Sequence, residues 1–283
     1  MIRPLLRQLR SIRRMFVFFW AAFYGLWRHR NLPPGASRAD GAQWLHESCS
    51  RCVRALGVEL SVQGSLPTHG LIVSNHLSYI DIGVLSAALP CVFVSKAEVE
   101  DWPIFGRYAR WAGSVFVRRH DRADAARANV SLGASLGNGV PVVLFPEGTT
   151  TDGERVLRFH STMLQPAIDT AAAITPSAIR YELDEGDPAR EVCWWGDMRL
   201  LSHMWNLAGK KSIQAKIIFG EPVIPRDPEY HKDSGVRAEA TVGALSDRKD
   251  LSRLLHDRVV RLYGRLIDGR GEGGPTAVKP MGK

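Results

Sequence analysis

The sequence predicts an α/β protein with a mixed central sheet flanked by helices and preceded by a basic, aromatic helical segment. Short apolar runs alternate with helical patterns between residues 37 and 267, which is typical of this class. Of the 283 residues, 45% are hydrophobic and 23% are charged, the balance of a globular protein. The first 30 residues differ from the rest, because they carry seven arginines and no acidic residue.

This first segment, residues 1–35, predicts an anchor that lies on a membrane surface. Met15–Trp27 contains no charge and is rich in aromatic residues. As a helix it would extend roughly 20 Å, which is short of the ~30 Å hydrocarbon core of a bilayer. We expect its aromatic side chains at the headgroup level and the arginines on anionic lipid phosphates. A hydrophobic helix docked on the protein's own core is the alternative.

The net charge of +8 does not indicate a nucleic-acid partner, because seven of the positive charges lie in this terminal segment. The rest of the chain sums to +1, so we expect no nucleic-acid binding. Four cysteines are too few for a disulfide-stapled secreted scaffold, which favours a reducing compartment.

The predicted elements follow a boundary at Pro33-Pro34-Gly35. Helical spacing of apolar residues predicts three helices, over Ser37–Gly57, Arg122–Leu136 and Lys249–Ile267. Short buried runs predict strands over Leu71–Ser74, Val92–Ser95, Ser114–Val117, Val140–Phe145, Ile174–Ile179, Glu191–Trp194 and Ile213–Phe219. We expect one domain over residues 36–268, a loop at 226–248 and a disordered tail at 269–283, where glycines are frequent and little can be buried.

Three clusters of polar residues follow predicted strands, where α/β sheets place their sites. The first contains His76 and Asp81, the second ends at Arg118, and the third is Phe145-Pro146-Glu147-Gly148-Thr149. A carboxylate five residues after a histidine can bind one ring nitrogen and make the other a stronger base. Each cluster alone is also explained as a core histidine, a solvated charge or a turn, but the three together favour a site.

The three clusters resemble the conserved blocks of bacterial glycerolipid acyltransferases, which acylate lysophosphatidic acid and related lysolipids. The resemblance extends from Leu71 to Pro176, with a continuation to Pro225. The HX4D segment from Asn75-His76 to Asp81 matches the first block. Gly113–Arg118 matches the second block and Phe145–Thr149 the third, while Ile174-Thr175-Pro176 fills the place of the fourth.

The resemblance implies a glycerolipid-acyltransferase fold and transfer of a fatty acyl group from a thioester to the free hydroxyl of a lysolipid. His76 would then be the general base, oriented by Asp81. The implied ligands of the acceptor's polar headgroup are Arg118, Glu147, Gly148 and Thr149. The acyl donor would be acyl-coenzyme A or acyl-acyl-carrier protein, with no other cofactor and no metal. The family's place is the cytoplasmic face of the inner membrane, as a monotopic protein.

The acceptor is left with two alternatives. Lysophosphatidic acid, which would give phosphatidic acid, is the default for enzymes with these blocks. Thr150 stands where related enzymes often carry an arginine, which favours a less anionic headgroup such as that of a lyso-ornithine lipid. Phe159-His160-Ser161 likewise replaces a basic stretch. A different class of function, an inactive membrane adaptor with the same fold, rests only on these departures.

Some further residues have two interpretations. Lys96 ends a predicted strand and is either a point charge for a phosphate or a surface lysine. Trp194–Met198, followed by His203, is an unusual run: it predicts a turn into a helix capped by Asp197, and a role in shaping the acyl or headgroup pocket is the alternative. Gly133–Gly137 imitates a serine-hydrolase elbow, but Ser135 falls within a predicted helix. Cys49 and Cys52 imitate half of a zinc site but lie on an apolar stripe without a second pair.

Overall fold

A computed structural model of the chain describes residues 2–30, 32, 35–102, 104–118, 122–137, 139–225 and 247–269. The predicted loop at 226–248 lies outside the described residues except for 247 and 248. The predicted tail at 269–283 lies outside them except for 269.

Seven strands form one mixed sheet in the order β1-β7-β6-β2-β5-β3-β4. Their bounds are β1 Val58–Gln63, β2 Leu71–Ser74, β3 Val92–Lys96, β4 Val115–Val117, β5 Val142–Leu144, β6 Ile174–Leu183 and β7 Ile213–Phe219. The five strands from β6 to β4 run parallel, whereas β7 is antiparallel to β6 and pairs in parallel with β1. The C-terminal ends of β2, β5, β3 and β4 therefore meet at one edge of the sheet.

Nine helices in the described part of the chain flank the sheet. They are α1 Ile2–His29, α2 Arg38–Ala55, α3 Ile80–Ala88, α4 Phe105–Trp111, α5 Arg122–Leu136, α6 Gln165–Asp169, α7 Pro188–Glu191, α8 Leu200–Ala208 and α9 Arg248–Asp268. Short 3₁₀ helices lie at Ala97–Asp101 and Thr162–Leu164. Every residue of β2 and β5 is buried. Because side chains alternate between the two faces of a strand, helices must cover the sheet on both sides.

The helix and strand predictions are confirmed for most elements. The capping box of Ser37 and Asp40 begins α2 where the sequence predicts a helix start. The alternating segment that forms β1 was missed, since it lies at the edge of the sheet and only Val58 and Val62 are buried. The predicted strand at 191–194 is wrong, because Asp187 caps the short helix α7 and the chain then continues as a loop.

Helix α1 packs on α2 and α8 through one face and presents the other to solvent. Met15, Phe18 and Ala22 are buried on the inner face. The outer face carries a row of exposed apolar side chains: Leu5, Leu6, Leu9, Ile12, Phe16, Val17, Phe19, Trp20, Phe23 and Trp27. The helix therefore docks on the body, as the alternative interpretation predicts, and still exposes a long apolar surface. Attachment of this surface to a membrane stays a prediction.

In the described part of the chain, no helix combines the length and the apolar character that crossing a bilayer requires.

Arginines fix the rotation of α1 against the body. The Arg14 guanidinium donates to the carbonyl oxygens of Lys210 at 2.5 Å and Lys211 at 3.1 Å, just beyond the end of α8. Arg10 donates to the carbonyl of Gly209 at 3.0 Å. Cationic donors are favourable at these positions because the last carbonyls of a helix lack intrahelical partners.

Candidate active site

The turn between β2 and α3 brings His76 and Asp81 into contact. β2 ends at Ser74, and α3 begins at Ile80, which places Asp81 in the first turn of this helix. The Nδ1 atom of His76 lies 2.8 Å from Oδ2 of Asp81. The carboxylate is completely buried, whereas the imidazole is 17% exposed. The base faces solvent while its partner lies in the interior.

Asp81 accepts three further hydrogen bonds. The main-chain N–H groups of Leu77 and Ser78 donate to Oδ2, at 2.7 and 3.0 Å. The Tyr181 hydroxyl on β6 donates to Oδ1 at 2.5 Å. Burial, and then the neighbouring carboxylate, raise the pKa of Tyr181 well above its ordinary value, so the phenol keeps its proton and donates. Four donors leave the carboxylate a single orientation.

These contacts define the tautomer of His76. Because a carboxylate oxygen only accepts, the hydrogen of the neutral ring is assigned to Nδ1. Nε2 then holds the lone pair, and no described group of the protein forms a hydrogen bond with it. The ring stacks on Phe145 with centroids 4.0 Å apart and an interplanar angle of 11°. The arrangement presents a fixed, unoccupied base at the edge of the sheet.

Glu147 supports the same histidine from the loop that follows β5. This residue is 3% exposed, and its Oε1 accepts the main-chain N–H of His76 at 2.7 Å. Its Oε2 accepts the N–H of Leu157 at 2.8 Å. Both oxygens are thus occupied by the protein's own main chain. The headgroup role that the resemblance implies for Glu147 stays a prediction, and the geometry gives this residue a positioning role.

Burial raises the pKa of Glu147 to about 7, although its two N–H donors act in the opposite direction. The cost of keeping a carboxylate away from water therefore outweighs the two hydrogen bonds that favour its charged form.

The loop after Glu147 returns to the turn between β2 and α3. Gly148 has a φ of +74°, and its N–H closes a turn on the carbonyl of Phe145 at 3.2 Å. Thr149 is exposed and Thr150 is half-buried. The N–H of Thr151 donates to the carbonyl of His76 at 3.0 Å. Position 150 therefore lies one residue from a direct contact with His76.

The two predicted cations lie on the same edge of the sheet but further along it. Lys96 is the last residue of β3 and Arg118 directly follows β4, and both are exposed. With strands ~4.8 Å apart, their strands are about 10 and 14 Å from β2. At these separations the two cations suit the far end of an extended ligand rather than the reacting atoms.

Sequence reasoning missed three supporting groups. Asn75 exchanges two hydrogen bonds with the main chain of Ile179, at 3.0 and 2.8 Å, and so ties the end of β2 to β6. The Phe145 ring supports the imidazole, and Tyr181 binds Asp81. Asn75 and Phe145 belong to the recognised blocks, but the sequence assigned them no role. No local pattern marks Tyr181, which is 100 residues from its partner.

The alternative interpretations are resolved by local structure. Ser135 lies inside α5, where its hydroxyl donates to the carbonyl of Ser131, which does not fit an elbow nucleophile. Cys49 is buried on α2, as its apolar stripe predicts. The predicted cap at Asp197 is wrong, because α8 begins later, after Arg199, and no side chain caps it. Asp197 is instead exposed in the preceding turn.

Comparisons with known proteins identify relatives of this arrangement. The sequence matches the family model described as Acyltransferase over residues 58–180. It is 36% identical over 200 residues to the lyso-ornithine lipid O-acyltransferase of Rhodobacter capsulatus, covering 69% of this chain and 72% of that protein. It is 32% identical over 168 residues to the 1-acyl-sn-glycerol-3-phosphate acyltransferase of Neisseria meningitidis, covering 58% and 66%.

A solved structure shares the fold. The crystal structure of the 1-acyl-sn-glycerophosphate (LPA) acyltransferase PlsC from Thermotoga maritima superposes with a TM-score of 0.64 at 21% sequence identity, covering 96% of this chain and all of that one. At this identity the match supports the architecture of the sheet and helices.

The support from Glu147 leads to a prediction for Glu147→Gln. The amide keeps one acceptor but places an NH₂ group against the second N–H, which should cost about 1–3 kcal/mol of unfolding free energy. Because the folded-state pKa is raised to about 7, the carboxyl group favours the fold most below its unfolded pKa, and that contribution is lost as the pH rises through 7. The free energy of unfolding of the wild type should thus fall by up to about 3 kcal/mol between pH 5 and 8 through Glu147. The variant lacks this contribution, because glutamine does not titrate.

Thermal unfolding of both proteins at pH 5, 6, 7 and 8 measures this difference. Other groups titrate equally in the two proteins, so the gap between their stabilities isolates residue 147. A gap that stays constant with pH would contradict the assignment.

Proposed function

The chain belongs to the acyltransferase family, and on this premise we propose that it is a lysolipid O-acyltransferase with His76 as its general base. The observation that carries the proposal is the pair formed by His76 and the buried Asp81, with Nε2 unoccupied at the sheet edge. A hydroxyl is a poor nucleophile near neutral pH, and this pair supplies the base that it needs.

The proposed reaction uses this pair in two proton transfers. Nε2 of His76 takes the hydroxyl proton as the acceptor oxygen attacks the thioester carbonyl carbon. The imidazolium that forms is stabilised by Asp81 through Nδ1–H. When the tetrahedral intermediate collapses, the carbon–sulfur bond breaks and the leaving sulfur takes the proton from Nε2. The products are an ester and a free thiol, and the base returns to its first state.

For the acceptor, we favour a lyso-ornithine lipid. A phosphate monoester carries close to two negative charges, which arginine binds in bidentate fashion. Here the half-buried Thr150 lies beside the contact between Thr151 and His76, and the acidic Asp152 follows. Residues 148–153 carry one acidic side chain and no basic one, which suits a headgroup that contains the ammonium group of ornithine. Arg155 and Arg158 follow in the same loop and are the charges that would favour a phosphate instead. The Rhodobacter relative, a lyso-ornithine lipid O-acyltransferase, also matches a larger share of this chain than the Neisseria relative does.

Lysophosphatidic acid is the second candidate, and it ranks first from the sequence blocks alone. Lys96 and Arg118 stand at strand ends on the same edge as His76 and supply positive charge for a phosphate. The Neisseria relative and the Thermotoga structure are both named for this acceptor.

The adaptor alternative has little support from the geometry. An inactive adaptor has no need of an oriented histidine. Here Tyr181 on β6 binds Asp81, the carboxylate that orients His76, and Glu147 after β5 binds the main chain of His76. For the donor, acyl-coenzyme A and acyl-acyl-carrier protein both fit a mechanism in which the thioester supplies the activation.

We further propose that α1 lies in the plane of the membrane interface on the cytoplasmic face. Its exposed row buries aromatic and aliphatic side chains among lipids, and its arginines contact anionic headgroups. The bound helix would hold the sheet edge near the surface from which a lysolipid is taken.

The first test of the proposed function is His76→Ala. Loss of the base should lower kcat by about 10²–10⁴-fold while leaving thermal stability and vesicle binding unchanged. Radiolabelled acyl transfer to a panel of lysolipids measures the effect. His69→Ala is the matched control, because His69 is an exposed histidine in the loop before β2, at the opposite end of that strand from His76. Near-wild-type turnover of His76→Ala would overturn the mechanism.

The choice of acceptor is tested by Thr150→Arg. One charge-assisted hydrogen bond to a phosphate is worth about 1.5–3 kcal/mol, so preference should shift about tenfold or more toward lysophosphatidic acid. The measurement is the ratio of kcat/KM for the two lysolipids. Thr162→Arg, at an exposed threonine in a 3₁₀ helix, adds the same charge elsewhere. An unchanged ratio in Thr150→Arg would show that position 150 faces away from the headgroup.

Membrane binding is tested by replacing Phe16, Trp20 and Phe23 together with serine. These side chains are 64–70% exposed, so the fold should keep its stability while binding to anionic vesicles weakens at least tenfold. High salt should weaken the wild type only in part, since apolar burial is not screened. Val130→Ser, at an exposed valine on α5, is the control. If the triple variant pellets with the vesicles as completely as the wild type does, the exposed row of α1 is not the membrane anchor.

Substitution is a sharper test than removal of residues 1–34, which the sequence alone suggests. Truncation would also uncover the surfaces of α2 and α8 against which Met15 and Phe18 pack.

A further inference from the structure

A second histidine, His203, lies buried beside the catalytic turn and has no part in the proposed chemistry. It is 6% exposed and belongs to α8. Its Nε2 lies 3.0 Å from the carbonyl oxygen of Cys193, and its Nδ1 lies 3.1 Å from the hydroxyl of Tyr79. Tyr79 is inside the catalytic turn, between His76 and Asp81.

When the ring of His203 is neutral, only one arrangement of protons satisfies both of its contacts. A carbonyl oxygen can only accept, so Nε2 carries the hydrogen. Nδ1 then holds the lone pair and accepts the hydroxyl hydrogen of Tyr79. Burial lowers the pKa of His203, which favours this neutral form. The Tyr79 hydroxyl therefore has a fixed acceptor supplied by a different helix.

Tyr79 is placed where its position affects the carboxylate. It immediately precedes α3, which carries Asp81 in its first turn, and it makes no side-chain cap. Its ring meets the rings of Trp194 and His203 edge-on, with centroids 5.9 and 5.6 Å apart. On the side that faces Trp194 and His203, the start of α3 is thus held by the contacts of the Tyr79 side chain.

The same segment also binds the turn at a second point. The main-chain N–H of Trp194 donates to the carbonyl of Leu77 at 2.8 Å. Leu77 and Tyr79 lie on either side of Ser78, whose own N–H binds Asp81. Residues 193–203 therefore contact the turn through its main chain and through a side chain, outside the groups that contact Asp81 directly.

We propose that His203 is a positioning residue for the catalytic pair: through the Tyr79 hydroxyl it holds the turn in the geometry that keeps His76 and Asp81 hydrogen-bonded. This inference rests on the proposed function, because it concerns the same reaction. It assigns a role to the Trp194–His203 segment, which the sequence marked as unusual and which the catalytic chemistry leaves unused.

The support for His203 extends to α1. The Ser11 hydroxyl donates to the carbonyl of Trp205, and the Trp205 indole donates to Gln8, both at 3.1 Å. Helix α8, which carries His203, is thereby hydrogen-bonded to α1, the helix that we propose to lie on the membrane.

The experiment compares Tyr79→Phe, His203→Leu and His203→Asn with Tyr108→Phe. Tyr108 is the matched control, since its buried hydroxyl donates to the carbonyl of Ala22 at 2.8 Å, in the packing between α4 and α1. Tyr79→Phe and His203→Leu should each lower kcat about tenfold, with KM for donor and acceptor within twofold of the wild type. His203→Asn should recover most of the rate, because its amide oxygen takes the place of Nδ1 as the acceptor for Tyr79.

Two further readouts separate positioning from stability. The double variant Tyr79→Phe/His203→Leu should be no slower than the slower single variant, since both changes break one contact. The rate at which diethyl pyrocarbonate modifies His76, followed by mass spectrometry on the full chain, should fall in the same variants and not in Tyr108→Phe. This measurement needs no lipid substrate.

The outcomes distinguish the two proposals. A wild-type protein that acylates no lysolipid would overturn the proposed function, while the modification rates would still test His203. Equal losses of activity and thermal stability in Tyr79→Phe and Tyr108→Phe would overturn the positioning role. So would a change confined to KM, or the absence of any recovery in His203→Asn.

Discussion

The site depends on a single buried carboxylate. Removing a carboxylate from water costs several kcal/mol unless hydrogen bonds replace its hydration. Asp81 meets this condition with four donors: the imidazole of His76, two N–H groups of the turn, and the Tyr181 hydroxyl. Losing one donor leaves a lone pair unsatisfied in the interior. The position of the base is therefore coupled to the stability of the fold around it.

The order of the strands makes this satisfaction possible. β2, which leads into the turn, lies between β6 and β5. β6 supplies Tyr181 to the orienting carboxylate, and β5 leads to Glu147, which binds the main chain of His76. β6 and β5, the two neighbours of β2, thus each support one member of the pair formed by Asp81 and His76. A different strand in place of β5 or β6 would leave the HX4D spacing unchanged but would remove Glu147 or Tyr181. The arrangement of His76 and Asp81 therefore depends on this strand order as well as on the motif.

The sequence is informative where structure is local and uninformative where it is not. His76 and Asp81 are five residues apart, so one turn joins them, and their position after a buried run indicates a strand end. Tyr181 reaches Asp81 only because β6 pairs with β2, and no local pattern encodes that pairing. The predicted strand at 191–194 fails for a related reason. Its apolar residues Val192 and Cys193 are buried by tertiary packing. The segment is bound to the turn by the main-chain hydrogen bond from Trp194 to Leu77, and not by a ladder of strand hydrogen bonds.

The charge of the first segment has two uses that composition cannot separate. Seven arginines suggest a purely electrostatic contact with lipid, yet Arg10 and Arg14 are bonded to carbonyls at the end of α8. Both guanidiniums keep their positive charge, but the N–H groups bound to these carbonyls are not available to bind lipid phosphates. These contacts also fix the rotation of α1, and that rotation turns its apolar row away from the body. The apolar row is therefore exposed because the opposite face is packed on the body, through Met15 and Phe18 and through polar contacts with α8, the helix that also carries His203.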